Sequence, residues 1–248
     1  MSQQMSFQIN SPTPAVKKLI IINLAIWVVL LVILENLILS EPYITMYFGL
    51  IPQTMIENFF VWQPVTYMFL HSLNPMHVLF NMMTLWFFGT ELEQKWGQRL
   101  FLIYYFFTGI GAAFFYLFGV ALVGTIKGMA PIVYTQPVVG ASGAVFGILL
   151  AYALLFGDRT IYFFGAFPIK AKYFVGIIGT IEVISLLTQG LTGAIANLAH
   201  IGGLVSGMIF LFVYTKFQQT KWKKGGSMRS KLKLVVNRDE PKEPKFWN

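Results

Sequence analysis

The sequence predicts an all-helical (all-α) integral membrane protein with six transmembrane helices. Of its 248 residues, 56% are hydrophobic and only 11% are charged, and the mean hydropathy is +0.65. Such a composition is typical of chains that span a bilayer. The apolar stretches do not alternate with polar residues as barrel strands do, so helices are favoured. The predicted spans cover residues 19–39, 76–90, 100–123, 142–157, 173–188 and 199–215.

The first span is expected to stay attached to the mature chain, because no small-residue cleavage site follows its apolar run. The connection at residues 40–75 is too apolar and aromatic for a solvated loop, with Tyr47, Phe60 and Trp62 among its members. Aromatic residues concentrate where hydrocarbon meets water. This loop between helices 1 and 2 is therefore predicted to lie at the membrane interface as short amphipathic pieces.

The second and fourth spans are shorter than a full crossing requires, which suits helices that begin in space lined by protein. Residues 124–141, before the fourth span, include Pro137 and Gly140, so no helix is expected to extend backwards from Ser142. Irregular backbone at that depth is tolerated only where it is buried in protein or lines a water-filled cavity. An irregular segment is thus expected to descend from the membrane surface toward Ser142.

Lysine and arginine fall almost entirely on one side of the predicted bundle, so both termini are expected in the cytoplasm. The net charge of +8 mostly reflects this asymmetry, and nucleic-acid binding is not expected. Anionic lipids are the better expected partner of the basic tail. The opposite side carries Lys127 alone. The cytoplasmic side carries Lys17, Lys18, Lys95, Arg99, Arg159, Lys170, Lys172 and ten basic residues from Lys216 to Lys245.

Three parts are predicted along the chain: a short cytoplasmic N-terminus at 1–16, a membrane domain at 17–216 and a basic cytoplasmic tail at 217–248. The sequence contains no cysteine. Disulfides, cysteine-ligated zinc and thiol nucleophiles are thereby excluded. Any covalent catalysis must use another nucleophile.

Ser142 and His200 are predicted to share a level inside the membrane. Ser142 lies sixteen residues before Asp158, and His200 lies sixteen residues before Lys216, with apolar sequence between. At a rise of about 1.5 Å per residue, each lies about 24 Å along a helix from its charged marker, within a hydrocarbon core of about 30 Å. If both markers lie at one face, a serine nucleophile and an imidazole base meet at one depth.

Other interpretations of these residues stay open at this point. A serine at a helix start can be only an N-cap, and a serine among glycines can serve helix packing. Within the apolar spans the acidic residues are Glu35 and Glu182, and neither has a sequence position that ties it to His200. A Ser142/His200 dyad is therefore the simpler hypothesis. Glu182 could face the cavity, and a carboxyl that is kept neutral or hydrogen-bonded between helices explains it at least as well.

Donors for an oxyanion are predicted in the second span. His77 and Asn81 lie one helical turn apart on one face, and both can donate hydrogen bonds, as can the backbone N–H of Ser142. A polar clamp between helices is the alternative for His77 and Asn81. His71 precedes this helix and is as well explained as an anchor for the loop.

These residues resemble the rhomboid intramembrane serine proteases in their six-span bacterial form. The matching segments are Gly140-Ala141-Ser142-Gly143 opening the fourth span, His77 and Asn81 in the second, and residues 200–207 in the sixth. The resemblance covers residues 17 to 216 in order and topology. It implies a rhomboid-like six-helix bundle in the cell (inner) membrane.

The resemblance implies hydrolysis of peptide bonds in or near transmembrane segments of membrane proteins, through a covalent acyl-enzyme. Ser142 would be the nucleophile and His200 the base, and the oxyanion would be held by Ser142 N–H, His77 and Asn81. Gly203 and Gly207 would let the sixth helix approach the fourth, and Phe146 would hold the His200 ring. Gly140 and Gly143 support the serine. No metal or organic cofactor is implied.

Three departures from the family pattern stand in the sequence. Trp62-Gln63 replaces a common Trp-Arg pair, which loses a fixed charge and puts loop anchoring in question. The spacing from His71 to His77 is one residue longer than usual. Phe146 replaces a tyrosine found in some relatives.

Two alternative functions remain open on the sequence. One is a catalytically inactive rhomboid-like protein that binds membrane clients, because a fold alone does not guarantee activity. The other is a six-helix transporter, although no inverted repeat favours it. For a protease, substrate entry is expected to displace the fifth span or the loop capping the cavity, with Gly176, Gly179, Gly190 and Gly193 as flexible points.

Overall fold

The structure is a computed structural model, and it describes residues 11–39, 41–127, 132–163, 167–188 and 195–229. The chain falls into two units, residues 1–211 and residues 212–248. The helices are α1 (Pro14–Ala25, continued by a π-helix at Ile26–Ile38), α2 (Tyr43–Phe48), α3 (Pro52–Glu57), α4 (Gln63–Thr66, continued by a 3-10 turn at Tyr67–Phe69), α5 (Pro75–Thr84, continued by a π-helix at Leu85–Gly89), α6 (Thr90–Trp96), α7 (Gln98–Lys127), α8 (Ile132–Thr135), α9 (Ser142–Phe156), α10 (Ala171–Thr188) and α11 (Ile195–Arg229).

Four helices among the described residues are long and apolar enough to cross a membrane: Pro14–Ile38, Gln98–Leu122, Ala171–Thr188 and Ala196–Thr220. The predicted fourth span corresponds to α9, which has 15 residues and is shorter than a crossing. The predicted second span is a composite, in which α5 runs through a π-helix into α6. The chain is an integral membrane protein, since these helices leave large apolar side chains such as Phe118 and Leu187 exposed.

Helix α1 begins earlier than the predicted residue 19, and a distant carboxylate explains why. Pro14 occupies the first turn, where its missing N–H costs nothing. Glu93 of α6 accepts hydrogen bonds from the Thr13 hydroxyl and from the backbone N–H groups of Ala15 and Val16, at 2.5 to 3.0 Å. A carboxylate at a helix N-terminus satisfies orphan donors and complements the helix dipole.

The all-helical prediction is wrong in one place. A two-stranded antiparallel hairpin, β1 (Thr160–Phe163) and β2 (Phe167–Lys170), joins α9 to α10, with Thr160 opposite Lys170. Its strands contain aromatic and β-branched residues, which favour extended backbone. At its base, Lys172 and Lys170 lie 2.7 and 3.7 Å from the Asp158 carboxylate.

The loop at residues 40–75 folds onto a buried glutamine. Gln63 is fully buried, and its side-chain oxygen accepts hydrogen bonds from Ile51 N–H and the Thr54 hydroxyl, both at 3.1 Å. Its amide nitrogen donates to the Tyr47 carbonyl at 3.4 Å. Gln63 therefore anchors the loop, and it does so without a charge.

Helices α7, α9 and α11 pack at backbone distance, because glycines stand where they cross. A β-carbon at Gly203 of α11 would overlap the Gly143 carbonyl of α9, and one at Gly207 would lie 2.6 Å from the Tyr104 hydroxyl. The Tyr104 hydroxyl itself donates to the Gly147 carbonyl of α9 at 2.7 Å. Gly203 and Gly207, which the sequence analysis expects to let the sixth helix approach the fourth, stand at two of these close contacts.

Candidate active site

Ser142 is the first residue of α9, and the chain reaches it through a glycine turn. Gly140 has a φ of +130°, a backbone conformation that residues other than glycine rarely adopt. Its N–H donates to the Tyr67 carbonyl at 2.9 Å. Ala141, and not Ser142, occupies the N-cap position. The N-cap alternative for Ser142 is therefore wrong, and its hydroxyl points elsewhere.

That hydroxyl meets His200 of α11. The Nε2 atom of His200 lies 2.8 Å from Ser142 Oγ, within hydrogen-bond distance. Phe146, one turn after Ser142, stacks on the imidazole with ring centroids 4.3 Å apart and planes 13° from parallel. The two residues that the sequence pairs by depth are thus neighbours, and Phe146 packs against one face of the imidazole ring.

Glu182 of α10 approaches the other side of the same imidazole. Its Oε1 atom lies 3.0 Å from His200 Nδ1, and the side chains are only 15% and 19% exposed. The separation is that of a hydrogen bond, although Nδ1 has no well-aligned hydrogen bond among the described residues. The sequence did not predict this contact, because an apolar helix such as α10 does not reveal which face turns inward.

His77 approaches the serine from α5. The backbone N–H of Ser72 donates to His77 Nδ1 at 3.2 Å, so a neutral His77 carries its proton on Nε2. A β-carbon at Gly140 would lie 2.8 Å from His77 Nε2 and 3.6 Å from Ser142 Oγ, so both atoms border the same small space. The nitrogen on which a neutral His77 carries its proton is thus the one that borders this space. Ser72 was not among the predicted residues.

Asn81 is buried beside His77, and its side-chain nitrogen donates to the His77 carbonyl at 2.8 Å. An amide nitrogen has two hydrogens, so one remains for another acceptor. The third predicted donor is the backbone N–H of Ser142, which belongs to the first turn of α9 and has no partner within its own helix.

His71 lies outside this cluster and supports it. Its ring is 2% exposed, contacts the His77 ring edge-on at 5.1 Å, and its Nε2 atom lies 3.5 Å from Ala141 N–H. Burial, with a smaller contribution from His77, lowers the pKa of His71 to about 3. A neutral His71 thus fixes the backbone just before Ser142, which agrees with the anchoring interpretation.

The geometry brings together a hydroxyl, an imidazole in contact with it and the His77 ring, whose Nε2 borders the same space as the hydroxyl. This is the set of groups that acyl transfer requires. The family model described as the Rhomboid domain matches residues 58–217. The chain belongs to the rhomboid family.

Curated rhomboid relatives align over 62% to 79% of the chain. The chain is 34% identical to RHOMBOID-like protein 1 of Arabidopsis thaliana over 156 residues, which cover 62% of this chain and 34% of the relative. It is 29% identical to Rhomboid protease AarA of Providencia stuartii over 202 residues, or 79% of this chain and 70% of that one. It is 32% identical to Rhomboid protease GluP of Bacillus subtilis over 165 residues, or 64% and 27%. The first and third of these rhomboids are thus matched over only about a third of their length or less.

Proposed function

We propose that this rhomboid is an intramembrane serine endopeptidase that cleaves peptide bonds in or near the transmembrane segments of membrane proteins. The observation that carries the proposal is the 2.8 Å contact between Ser142 Oγ and His200 Nε2. Two of the related rhomboids are themselves named proteases. The alternative of a transporter has no specific observation in its favour.

In the proposed reaction, His200 Nε2 takes the Ser142 proton while Oγ forms a bond to the scissile carbonyl carbon. The tetrahedral intermediate collapses when the C–N bond breaks and the leaving amine takes the proton from His200. An ester on Ser142 remains as the acyl-enzyme. A water molecule, deprotonated by His200, then attacks the ester, and the proton returns to Ser142 as the carboxylic acid product leaves.

The negative charge that develops on the carbonyl oxygen needs donors that are already oriented. We assign this role to Ser142 N–H, His77 Nε2–H and the remaining amide hydrogen of Asn81. The Ser72 bond to His77 Nδ1 supports the assignment, since it leaves the His77 proton on the side of the serine. Gly140 supports it too, because a side chain there would fill the space between His77 and Ser142.

The membrane topology that we propose has six spans. Four of the spans are the long apolar helices. The other two are the composite of α5, its π-helix and α6, which is second in chain order, and the short helix α9, which is fourth. Both termini would lie in the cytoplasm, on the side rich in lysine and arginine. We further propose a membrane domain at 17–216, flanked by a short N-terminus at 1–16 and a basic tail at 217–248. The tail beyond residue 229 lies outside the described residues.

The loop at 40–75 is proposed to rest at the membrane interface, with exposed aromatic and aliphatic residues such as Tyr47, Phe59 and Val61 in contact with lipid. The basic tail is proposed to contact anionic lipid headgroups. Entry of a substrate helix is proposed to displace α10. Of the glycines invoked for that movement, Gly190 and Gly193 lie outside the described residues, whereas Gly176 and Gly179 are loosely packed.

Cleavage of a single-span test substrate by purified protein in liposomes tests the proposed function. Wild type should release product, and Ser142→Ala and His200→Ala should release none. Ser206→Ala is the matched control, because it alters a buried serine on the same helix as His200. Product from Ser142→Ala would overturn the assignment of the nucleophile. A set of substrates that all remain intact with wild type would favour the inactive client-binding alternative.

A further inference from the structure

Glu182 is the acidic side chain closest to the candidate dyad, and the dyad mechanism does not use it. Its carboxylate lies 3.0 Å from His200 Nδ1, opposite the nitrogen that contacts Ser142. Its second oxygen, Oε2, is buried and has no hydrogen-bond partner among the described residues. An ionisable group buried in a membrane helix is costly unless it has a partner, and His200 is the partner within reach.

We propose that Glu182 is a positioning residue for His200, which makes the site a Ser–His–Glu arrangement rather than a bare dyad. This inference rests on the proposed protease function. The base must present an unprotonated Nε2 to the serine, and a neutral imidazole then carries its proton on Nδ1. A carboxylate facing Nδ1 selects that tautomer and stabilises the imidazolium that forms during the reaction.

The Phe146 ring cannot replace this function. Stacking at 4.3 Å holds the plane of the imidazole, but it does not distinguish one ring nitrogen from the other. Selection of the tautomer needs a polar acceptor at Nδ1. Among the described residues, the Glu182 carboxylate is the acceptor that the structure brings to that nitrogen.

The position of Glu182 in the fold adds a consequence. Ser142 and His200 stand on helices that cross at backbone distance, whereas Glu182 stands on α10, whose most apolar stretch is only 11% buried. Movement of α10 away from α11 would therefore remove the carboxylate from His200 and leave the Ser142 contact in place. The complete arrangement of Ser142, His200 and Glu182 would form only when α10 packs against α11.

A purely structural role is the competing explanation. The Asn197 side chain donates to the Glu182 backbone carbonyl at 3.4 Å, so this part of α10 also has an anchor that does not involve the carboxylate. If Glu182 only linked the two helices, its loss would lower stability without changing the His200 tautomer. The two explanations are separated by measurements on the ring itself.

The first test uses the fact that the chain has only three histidines. Histidine labelled with 15N gives three pairs of ring signals, and His200→Ala identifies the His200 pair. In a Ser142→Ala background, which needs no activity, we expect the Nδ1–H tautomer with Glu182 and a mixture of tautomers in Glu182→Leu. Glu35→Leu is the matched control, because Glu35 is a carboxylate in another apolar helix and its partner is Thr45. It should leave the His200 signals unchanged.

The second test uses a small fluorophosphonate, which reacts with an activated serine and needs no substrate helix. The reagent forms a bond from phosphorus to Ser142 Oγ and releases fluoride, while the proton passes to His200. Relative to wild type, Glu182→Leu should react about tenfold to a hundredfold more slowly. Glu182→Gln should recover part of the rate, since its amide oxygen still accepts from Nδ1–H. With a transmembrane substrate, the loss should appear in kcat and leave KM within about twofold.

The outcomes separate the two proposals. Equal tautomer populations and equal fluorophosphonate rates in Glu182→Leu and wild type would overturn the role of Glu182 while leaving the protease intact. Failure of wild type to react or cleave would overturn the proposed function, and the tautomer measurement would still decide the contact. If Glu182→Leu does not fold, Glu182→Gln in the same two measurements gives the answer.

Discussion

Helices α9 and α10 are neighbours along the chain, but they are packed in opposite ways. On α9, a β-carbon at Gly143 would lie 2.6 Å from Ala112, and one at Gly147 would lie 2.6 Å from Thr108. On α10, a β-carbon at Gly176 would meet no atom within 4 Å beyond the neighbouring backbone of its own helix, and one at Gly179 would lie 3.6 Å from Leu204. The same residue type thus permits close packing in one helix and leaves the other with open space.

The difference separates the parts of the site by rigidity. Ser142 and His200 are held by helices that cannot approach or separate without disturbing many contacts, since interiors are packed to crystal-like density. Glu182 belongs to α10, whose most apolar stretch is only 11% buried and which we propose is displaced when a substrate enters. A protease that must admit a substrate helix needs both properties. Its nucleophile and base must be held in place, and a neighbouring helix must be able to move aside.

The largest effect on stability and cleavage is expected from a substitution that disrupts the close packing of α9 against α11. In Gly203→Ala the new methyl group would overlap the Gly143 carbonyl, which must push α11 away from α9 and cost about 3 kcal/mol. Cleavage should fall below detection. Gly176→Ala is the matched control on α10 and should stay within about 1 kcal/mol of wild type. Thermal unfolding and liposome cleavage measure both variants. Equal tolerance of the two alanines would contradict the comparison.

A second prediction concerns the donor on the packed side. His77→Ala should lower kcat about a hundredfold or more with little change in KM, because a donor is lost that acts only on the transition state. Asn81→Ala should have a smaller effect, since one of its amide hydrogens is already used by the His77 carbonyl. Thr84→Ala, which removes a hydroxyl bound to the Phe80 carbonyl of the same helix, should leave kcat unchanged. A KM effect in place of a kcat effect would argue against the oxyanion role.

A third prediction uses the buried His71. Its pKa is about 3 in the fold, while an unfolded histidine has a pKa near 6.5. The neutral ring therefore contributes stability above pH 6.5, and this contribution is lost as the pH falls toward 3. Between pH 6.5 and pH 5 the loss is about 2 kcal/mol. Denaturant unfolding of wild type and His71→Asn at both pH values measures it. If the two proteins lose equal stability, His71 is not the group responsible.

A fourth prediction concerns restraint of α10, the helix that is less closely packed. Because the chain has no cysteine, Gly179→Cys with Leu204→Cys can be joined by a short reagent that contains a reducible disulfide. The tether holds α10 to α11, so cleavage of a transmembrane substrate should fall about tenfold if substrate entry needs α10 to move. Fluorophosphonate labelling should persist, and a reductant should restore cleavage. Undiminished cleavage by the tethered protein would show that substrates enter elsewhere.

Much of the fold was predictable because membrane helices follow from composition and charge. The apolar stretches and the charged residues that end them located Ser142 and His200 well enough to pair them, and the family resemblance is confirmed. The early start of α1 was not predictable, because its cap is Glu93, about eighty residues away. The hairpin at 160–170 was missed because its strands are only four residues each.

The contact of Glu182 with His200 could not be predicted from the sequence, for a different reason. Helix α10 is apolar on all sides, so its sequence does not indicate how the helix is rotated about its axis. That rotation is set by tertiary contacts with α9 and α11. A carboxylate in an apolar helix is a signal that a partner exists, but not which partner it is.

Gln63 carries a consequence for the environments in which this protein can work. The loop between the first two helices is held by a neutral amide that binds Ile51, Thr54 and Tyr47. An amide neither titrates nor responds to the electrical potential of a lipid surface, which changes with headgroup charge and salt. The clamp should therefore hold equally well in zwitterionic and anionic bilayers and over a wide range of ionic strength.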